Sequence, residues 1–413
     1  MNQMVARGLV LTLLRRTRHG SLTLVEGDST LRFGDREPGA PMVTVEIHSP
    51  AFYPALLRGS IGLSDAYMEG MFECADLPEL ARLAALNMPQ LDAWRRALRP
   101  FVALPQAGLR WLERNTPARS RKQISAHYDL GNDLFGLMLD ETMMYSCAVF
   151  ESDEATLHEA QVAKLDRICQ KLDLGPDDHV LEIGTGWGGF AIHAAGRYGC
   201  RVTTTTISKE QLALARRRVA AAGLEDRITL LLEDYRDLKG NYDKLVSIEM
   251  IEAVGWQYFD TFFERCGALL APDGAMLLQA ITIDHRAYEV EKATKSFANT
   301  HIFPGGCLPS LEVISRSVAR ASDLRTIHLD DMTAHYVKTL RCWRENFLTQ
   351  LDRVRALGYD GRFQRLWELY LAYCEGGFDS RRIGTVQLLL AKPSYVARPR
   401  PTAEPALTGA ARG

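Results

Sequence analysis

The stretch Leu181-Glu-Ile-Gly-Thr-Gly-Trp-Gly-Gly189 constrains this chain more than any other. An apolar run, His179–Ile183, breaks abruptly into glycines, and a helix-like segment from Phe190 to Tyr198 follows. Glycines let a backbone turn sharply and approach a ligand closely, beside the N-terminus of the next helix. Gly184, Gly186 and Gly189 also satisfy the dinucleotide fingerprint G-x-G-x-x-G. The glycines alone therefore leave open a dinucleotide site, another nucleotide-type cofactor, or a bare strand–helix turn.

The acids around this turn separate those readings. A nicotinamide site calls for a carboxylate about 20 residues further on, at the end of the second strand. That position holds Arg201-Val-Thr-Thr-Thr-Thr-Ile-Ser208, without an acid. The acids stand elsewhere: Glu182 ahead of the first glycine, and Glu233-Asp234, then Tyr235, after the third apolar run from Ile228. This distribution fits S-adenosylmethionine better than a dinucleotide.

At 413 residues the chain exceeds one typical domain, and two units are expected. Its 46% hydrophobic and 24% charged residues are those of an ordinary soluble globular protein. The formal net charge of −2 means that an anionic partner must be held by local basic patches. Eight cysteines are scattered without a C-x-x-C pair, which argues against zinc and a disulfide framework and suits a reducing cytoplasm. No run approaches the roughly 18 apolar residues of a membrane span. The apolar residues Gly8 to Leu14 are halted by Arg15-Arg-Thr-Arg18, so a signal peptide is not expected. The expected location is the cytoplasm, with a peripheral hold on the inner face of the membrane.

Residues 1–85 read as an α+β unit and a candidate for lipid docking or dimerisation. A helix with basic flanks, Met4 to Arg16, precedes a hairpin of Ser21–Val25 and Thr30–Phe33 and a third strand at Val43–Ile47. Residues 86–122 interleave Trp94, Phe101 and Trp111 with a run of arginines, either as a solvated connector or as a surface for anionic lipid. From 123 to 392 a βα rhythm takes over, with strands at 179–184, 201–207, 228–234, 244–250 and 275–283 and a late one at Val386–Ala391. Helices are expected near 154–173, 188–197, 208–222 and 256–271. Such alternation implies a mostly parallel sheet with helices on both faces. Residues 284–378 read as one substrate-specific insertion, and 393–413 as a disordered tail.

Seven motifs occur in order: His127-Tyr-Asp-Leu-Gly-Asn132, Tyr145-Ser-Cys147, the glycine turn, Thr206-Ile-Ser-Lys-Glu-Gln211, Met250-Ile-Glu-Ala-Val254, Phe303-Pro-Gly-Gly-Cys-Leu-Pro309 and Tyr373-Cys-Glu-Gly-Gly-Phe378. Together they resemble the cyclopropane-fatty-acyl-phospholipid synthases and the related mycolic acid methyltransferases. The likeness covers about 120–390 strongly and the amino-terminal unit more loosely, through Leu63-Ser-Asp-Ala-Tyr-Met-Glu-Gly70. It implies a class I S-adenosylmethionine-dependent methyltransferase: a Rossmann-like, mostly parallel seven-stranded sheet with a smaller α+β amino-terminal domain. It places S-adenosylmethionine against Tyr145, Ser146, Glu182, Gly184, Gly186, Gly188, Thr206, Gln211 and Ile248, with Glu233, Asp234 and Tyr235 near the adenine. Ser208 is expected to cap the helix that carries Gln211.

The substrate so implied is the cis double bond of an acyl chain in a membrane phospholipid. An isolated alkene has no proton to abstract, so the site must align it with the methyl donor and keep water from the cation that forms. Loss of a proton from the new methyl closes the ring. Relatives use a bicarbonate ion as the base, held by groups matching Cys147, Glu252 and Tyr336. Cys147 has no basic neighbour in sequence and is expected to act by hydrogen bonding, not as a nucleophile; Cys374 is expected to line the pocket. One position departs from the family: Gln279 stands where many relatives place a histidine among the bicarbonate ligands, with His285 and His301 as conceivable substitutes. A glutamine cannot shuttle a proton, which opens a methylene- or methyl-branched product as the alternative to a ring. An RNA or small-molecule methyltransferase and a non-catalytic lipid-binding scaffold are the readings from other classes. Homodimerisation is a family expectation only.

Overall fold

A computed structural model describes residues 2–89 and 131–396. Most of the basic–aromatic segment 86–122, the motif residues His127–Leu130 and the tail from 397 lie outside the described residues.

The amino-terminal unit begins with a helix, Gln3–Leu14, capped by the Asn2 side chain. The hairpin follows as β1 (Ser21–Glu26) and β2 (Ser29–Gly34), then β3 (Met42–Ile47) and a short β4 (Phe72–Cys74). Their order is β2-β1-β3-β4, with β1 and β3 parallel. Inward positions alternate as the period of two requires, Leu22 and Leu24 on β1 facing the same core as Val43, Val45 and Ile47 on β3. Helices Phe52–Leu56 and Ser60–Met68 cross from β3 to β4. A further helix, 77–89, runs through the expected boundary at residue 85.

The larger unit is built on seven strands: β5 (His179–Ile183), β6 (Arg201–Thr205), β7 (Ile228–Leu231), β8 (Tyr242–Ile248), β9 (Leu270–Ile283), β10 (Arg325–Asp331) and β11 (Ile383–Ala391). The order is β10-β11-β9-β8-β5-β6-β7, and only β11 runs against its neighbours. The central strands β5, β8, β9 and β11 are largely apolar on both sides, as a covered sheet demands. Leu181, Leu245, Met276 and Leu388 face helices Phe259–Leu269 and Leu311–Ala321. Val180, Val246, Leu277 and Leu389 face helix Leu157–Leu172 and the helix that opens at Gly189. Thr156 and Glu159 close a capping box on the first turn of Leu157–Leu172.

One expectation needs correction. Residues 284–378 do not form a single insertion, because β10 joins the sheet within them. Its side chains are almost all exposed, and only Ile327 and Leu329 alternate with the polar Thr326, His328 and Asp330, without a buried face. A charged edge strand discourages pairing with other chains but carries little signal in sequence. The additions are therefore two: 284–310 after β9, and the helices Thr333–Thr349, Leu351–Ala356 and Gly361–Asp379 before β11.

Those late helices carry the amino-terminal unit. Arg365 on helix Gly361–Asp379 stacks over the Tyr67 ring at 3.9 Å, donates to the Tyr67 carbonyl and pairs with Glu73 at 2.8 Å. Tyr67 in turn donates to Glu368 at 3.0 Å. Nearby, Gly376 lets helix 77–89 approach backbone to backbone: a Cβ there would sit 2.4 Å from the Pro78 carbonyl oxygen and 2.5 Å from the Arg82 nitrogen. Gly376→Leu is expected to cost about 2–3 kcal/mol, since neither contact is a side chain that swings away. Urea unfolding of the variant beside wild type measures it, and an unchanged midpoint would contradict the seam.

Candidate active site

The carboxyl ends of β5, β6 and β8 converge on one cavity, as ligand sites in open α/β sheets do. The β5 strand ends in Gly184 at φ +107°, where a Cβ would press on Met250 at 3.4 Å. The backbone N–H groups of Gly184 and Thr185 both donate to the Thr205 carbonyl, fixing the turn against β6.

The threonine run then wires the strand ends together. Thr204 donates to Glu182 at 2.6 Å and meets Thr185 at 2.7 Å; Thr205 donates to the Glu233 carbonyl at 2.6 Å; Thr206 donates to Gln211 at 2.8 Å. β-Branched residues hold the strand extended while their hydroxyls reach sideways. Ser208 caps helix Lys209–Ala221 by accepting from Gln211 N–H, as its position implied. Tyr145, Ser146, Glu182, Gly184, Gly186, Thr206, Gln211, Glu233, Asp234, Tyr235 and Ile248 all line the cavity.

Two of the expected cofactor residues take other work. Gly188 is absent from the cavity wall: at φ +86° it starts the following helix, where a Cβ would meet Ala215 and Ile192 at 3.5 Å. Asp234 is held by Arg236 through Nε and a terminal nitrogen, each at 2.7 Å, so its carboxylate is already spoken for. Of the acidic pair, Glu233 is the exposed one.

Lys164 was not singled out in the sequence. It is fully buried on the inner stripe of helix Leu157–Leu172 and donates to Ser146 Oγ at 2.8 Å. Burial lowers its pKa to about 8. Glu182 is pushed up to about 8, chiefly by burial, with Lys164 and Thr204 pulling the other way.

The far wall holds the second group of expected residues, and at its centre a residue that sequence reasoning missed. Glu249 follows β8 at φ +50°, a conformation side chains rarely adopt. Its Oε1 accepts from Cys147 N–H at 2.9 Å and from Gln279 Nε2 at 2.8 Å, and its Oε2 accepts from the Tyr336 hydroxyl at 2.6 Å. Gln279 lies behind the wall on β9, donating also to the Cys147 carbonyl at 3.2 Å and accepting from Gln387 at 3.0 Å, which Lys171 supports at 2.6 Å. Burial raises the Glu249 pKa, while Tyr336, Cys147 and Gln279 favour its charged form. The signal available was an acid at the end of the fourth parallel strand.

Glu252 lines the same cavity. Its Oε1 accepts from Ile281 N–H at 2.5 Å, and its Oε2 is buried with no protein partner. Burial first, then the neighbouring Glu249 charge, push it up to about 8. Cys147 is fully buried with its thiol on the Ala148 and Met332 carbonyls, and its pKa lies well above 9.0 from burial, so it is no nucleophile. Cys374 lines the cavity, its thiol pushed up to about 12 by burial. Neither histidine replaces the missing one: His285 bonds Ser310 and pairs with Glu312, and His301 sits 3.7 Å from Asp65. All eight cysteines are free, and no metal-binding group occurs among the described residues.

The model of the family described as mycolic acid cyclopropane synthetase matches residues 115–388. Tuberculostearic acid methyltransferase UfaA1 of Mycobacterium tuberculosis is 39% identical over 92% of this chain and 90% of its own. Cyclopropane-fatty-acyl-phospholipid synthase of Escherichia coli K12 is 37% identical over 86% of this chain and 89% of its own. The chain belongs to the mycolic acid cyclopropane synthetase family. Among solved structures, the mycolic acid cyclopropane synthase CmaA1 complexed with SAH and CTAB superposes with a TM-score of 0.62 at 32% identity, over 66% of this chain and 98% of that one. Coclaurine N-methyltransferase, at 17% identity, shares the fold alone. The fold is thus that of the class I S-adenosylmethionine-dependent methyltransferases, and the chain is an enzyme of the C-methyltransferase type.

Membership sharpens one disagreement. The donors expected to hold bicarbonate, at Cys147 and Tyr336, are engaged by Glu249. With those donors taken, an added anion would lie beside the buried Glu249 carboxylate, so these residues do not fit it.

The buried carboxyls make a pH prediction. Glu252 rises from 4.5 unfolded to about 8 folded, so the fold is most favoured while the group keeps its proton. That contribution is full below the unfolded value and fades as pH climbs toward 8. The melting-temperature gap between Glu252→Gln and wild type should therefore shift in the variant's favour across this window; a pH-independent gap would remove Glu252 from it.

Proposed function

We propose that this enzyme transfers a one-carbon unit from S-adenosylmethionine to the cis double bond of an unsaturated acyl chain in a membrane phospholipid, leaving a cyclopropane ring. The observation that carries this reading is a single cavity of about 2880 Å³ that links the glycine turn to the amino-terminal unit. It exceeds the roughly 300–1,000 Å³ of ordinary small-molecule sites. Its wall passes from Gly184 and Thr206 through Tyr336, Tyr370, Phe303 and Phe378 to Leu22, Leu24, Phe52, Leu56 and Leu14. Arg15, Arg16, Arg18 and Arg58 line it in the amino-terminal unit. That sequence of surfaces suits a methyl donor, an alkyl tail and a phosphate in turn.

The donor-side residues fit the cofactor. Gly184 and Gly186 leave backbone open to the cavity, Glu233 is an exposed carboxylate beyond the third strand, and Tyr145, Ser146, Gln211 and Ile248 complete the cradle. S-adenosylmethionine supplies an electrophilic methyl carbon when bound. The chain's share is alignment, exclusion of water, and the π faces of Tyr145, Tyr370 and Phe303 beside a transient cation. Tyr145 and Tyr370 brace each other through their hydroxyls at 2.6 Å.

Membrane contact is served by helix Gln3–Leu14. Met4, Val5, Leu9 and Leu13 are exposed on it, next to Arg15, Arg16 and Arg18. An apolar stripe bordered by arginines suits the interface of an anionic leaflet. Among the described residues no helix is long and apolar enough to cross a membrane. Met4→Glu with Leu9→Glu is expected to weaken sedimentation with anionic vesicles by about thirtyfold, since each buried apolar side chain contributes on the order of 1 kcal/mol; undiminished binding would place docking elsewhere.

A methylene- or methyl-branched product is the second reading. It is favoured by Gln279, which carries no charge, and by the 39% identity to a relative named as a methyltransferase. The family assignment removes the RNA-directed and scaffold alternatives. The test is incubation with vesicles of dioleoyl phosphatidylethanolamine and phosphatidylglycerol and methyl-labelled donor, followed by mass spectrometry of the acyl chains. A gain of one CH2 with ring-type fragmentation is expected. The same gain with an exocyclic alkene selects the branched product, and label absent from acyl chains overturns both.

A further inference from the structure

We propose that Glu249 serves as the base of this reaction, so that the enzyme completes its cycle without bicarbonate. The inference rests on the lipid-methylation reading above and specifies which group removes the proton.

Three observations carry it. First, the Cys147 N–H, the Gln279 amide and the Tyr336 hydroxyl all converge on one side-chain carboxylate, at 2.9, 2.8 and 2.6 Å. Donors that an external oxyanion would need are thereby used by an oxyanion the chain brings itself. Second, Glu249 sits at φ +50° on a non-glycine residue. Such a conformation is strained and persists where the surroundings over-determine it. Third, Glu249 lines the cavity together with Gly184, Met250 and Glu252, and so does Tyr336, whose hydroxyl donates to its Oε2.

Charge decides between the two glutamates. Buried three residues apart on one wall, they do not both ionise easily. Glu249 accepts three strong bonds that favour its charged form, whereas Glu252 accepts one backbone N–H and leaves an oxygen unpartnered. The negative charge therefore resides on Glu249, and Glu252 keeps its proton. A base must be the ionised member.

The step balances. Once the new carbon–carbon bond has formed, the other former alkene carbon bears the positive charge. Glu249 takes a proton from the added CH3, and the electron pair of that C–H bond becomes the third bond of the ring. The lipid leaves neutral and Glu249 is left protonated, to return its proton to water when the product departs. If a hydride first crosses between the two former alkene carbons, the same proton loss leaves an exocyclic C=CH2 instead. One base thus serves either product.

The decisive measurement uses the full-length wild-type enzyme with the same vesicles in buffer freed of carbon dioxide under argon. Turnover is expected to change by less than about twofold when bicarbonate is restored, whereas a borrowed base contributes about 10²–10⁴-fold. Stimulation of that size overturns the proposal. Glu249→Gln is expected to lose about 100-fold or more in kcat while its dissociation constant for S-adenosylmethionine, read by calorimetry, moves less than about threefold. Wild-type turnover in that variant also overturns it. Glu249→Gly, which suits the backbone angle, is expected to bind the donor normally and to become saturably dependent on added bicarbonate or formate. A wild-type enzyme that labels no acyl chain with or without bicarbonate sinks the lipid reading, a failure distinct from a labelled product that needs bicarbonate.

Discussion

The buried carboxylate of Glu249 ties together three segments that are distant in sequence: the loop at Cys147, the sheet at Gln279 and the late helix at Tyr336. Removing any one donor would leave a desolvated charge short of a partner, which costs more than the bond itself contributes. The network therefore acts as a clamp on the back of the cavity as well as a chemical group within it. Its outer links, Gln387 and Lys171, anchor the clamp to β11 and to helix Leu157–Leu172. Local geometry at the reacting end thus depends on polar satisfaction, where most of the molecule depends on apolar packing.

Two kinds of surface meet across the cavity. On the sheet side, hydroxyls and backbone groups fix strand ends within hydrogen-bond distance, with Lys164 buried below Ser146 as a compensating cation. On the other side, aromatic rings and aliphatic side chains from the late helices and the amino-terminal unit form a single packed cluster that includes Phe52, Phe72, Tyr336, Trp343 and Trp367. The first surface suits a polar donor and the second, on the proposed reading, an alkyl chain.

Much of this was legible in the sequence. The glycine turn, the apolar strands around it, the hairpin at residues 21–34 and the Ser208 cap all follow from local rules of backbone freedom and periodicity. What escaped has physical causes. β10 is an exposed edge, and its alternation rests on Ile327 and Leu329 alone. Lys164 looks like any lysine on an amphipathic helix, because its burial depends on a partner from Ser146, a loop 18 residues earlier. Glu249 escaped because it lies one residue ahead of the motif Met250–Val254, and its donors come from positions 147, 279 and 336. Gly188 was assigned to the ligand because its neighbours face one; its own conformation and contacts belong to helix packing. Site chemistry that is assembled across long sequence separations leaves little trace in any one segment.

The match to the family begins at residue 115, whereas Leu14, Leu22, Leu24, Phe52 and Leu56 on the cavity wall all precede it. Part of the cavity wall is therefore encoded outside the family-matched stretch and joined to the rest at a helix crossing that Gly376 permits. On the proposed reading, a change confined to the leading stretch reshapes the tail's share of that wall while Glu249 and the glycine turn stay as they are.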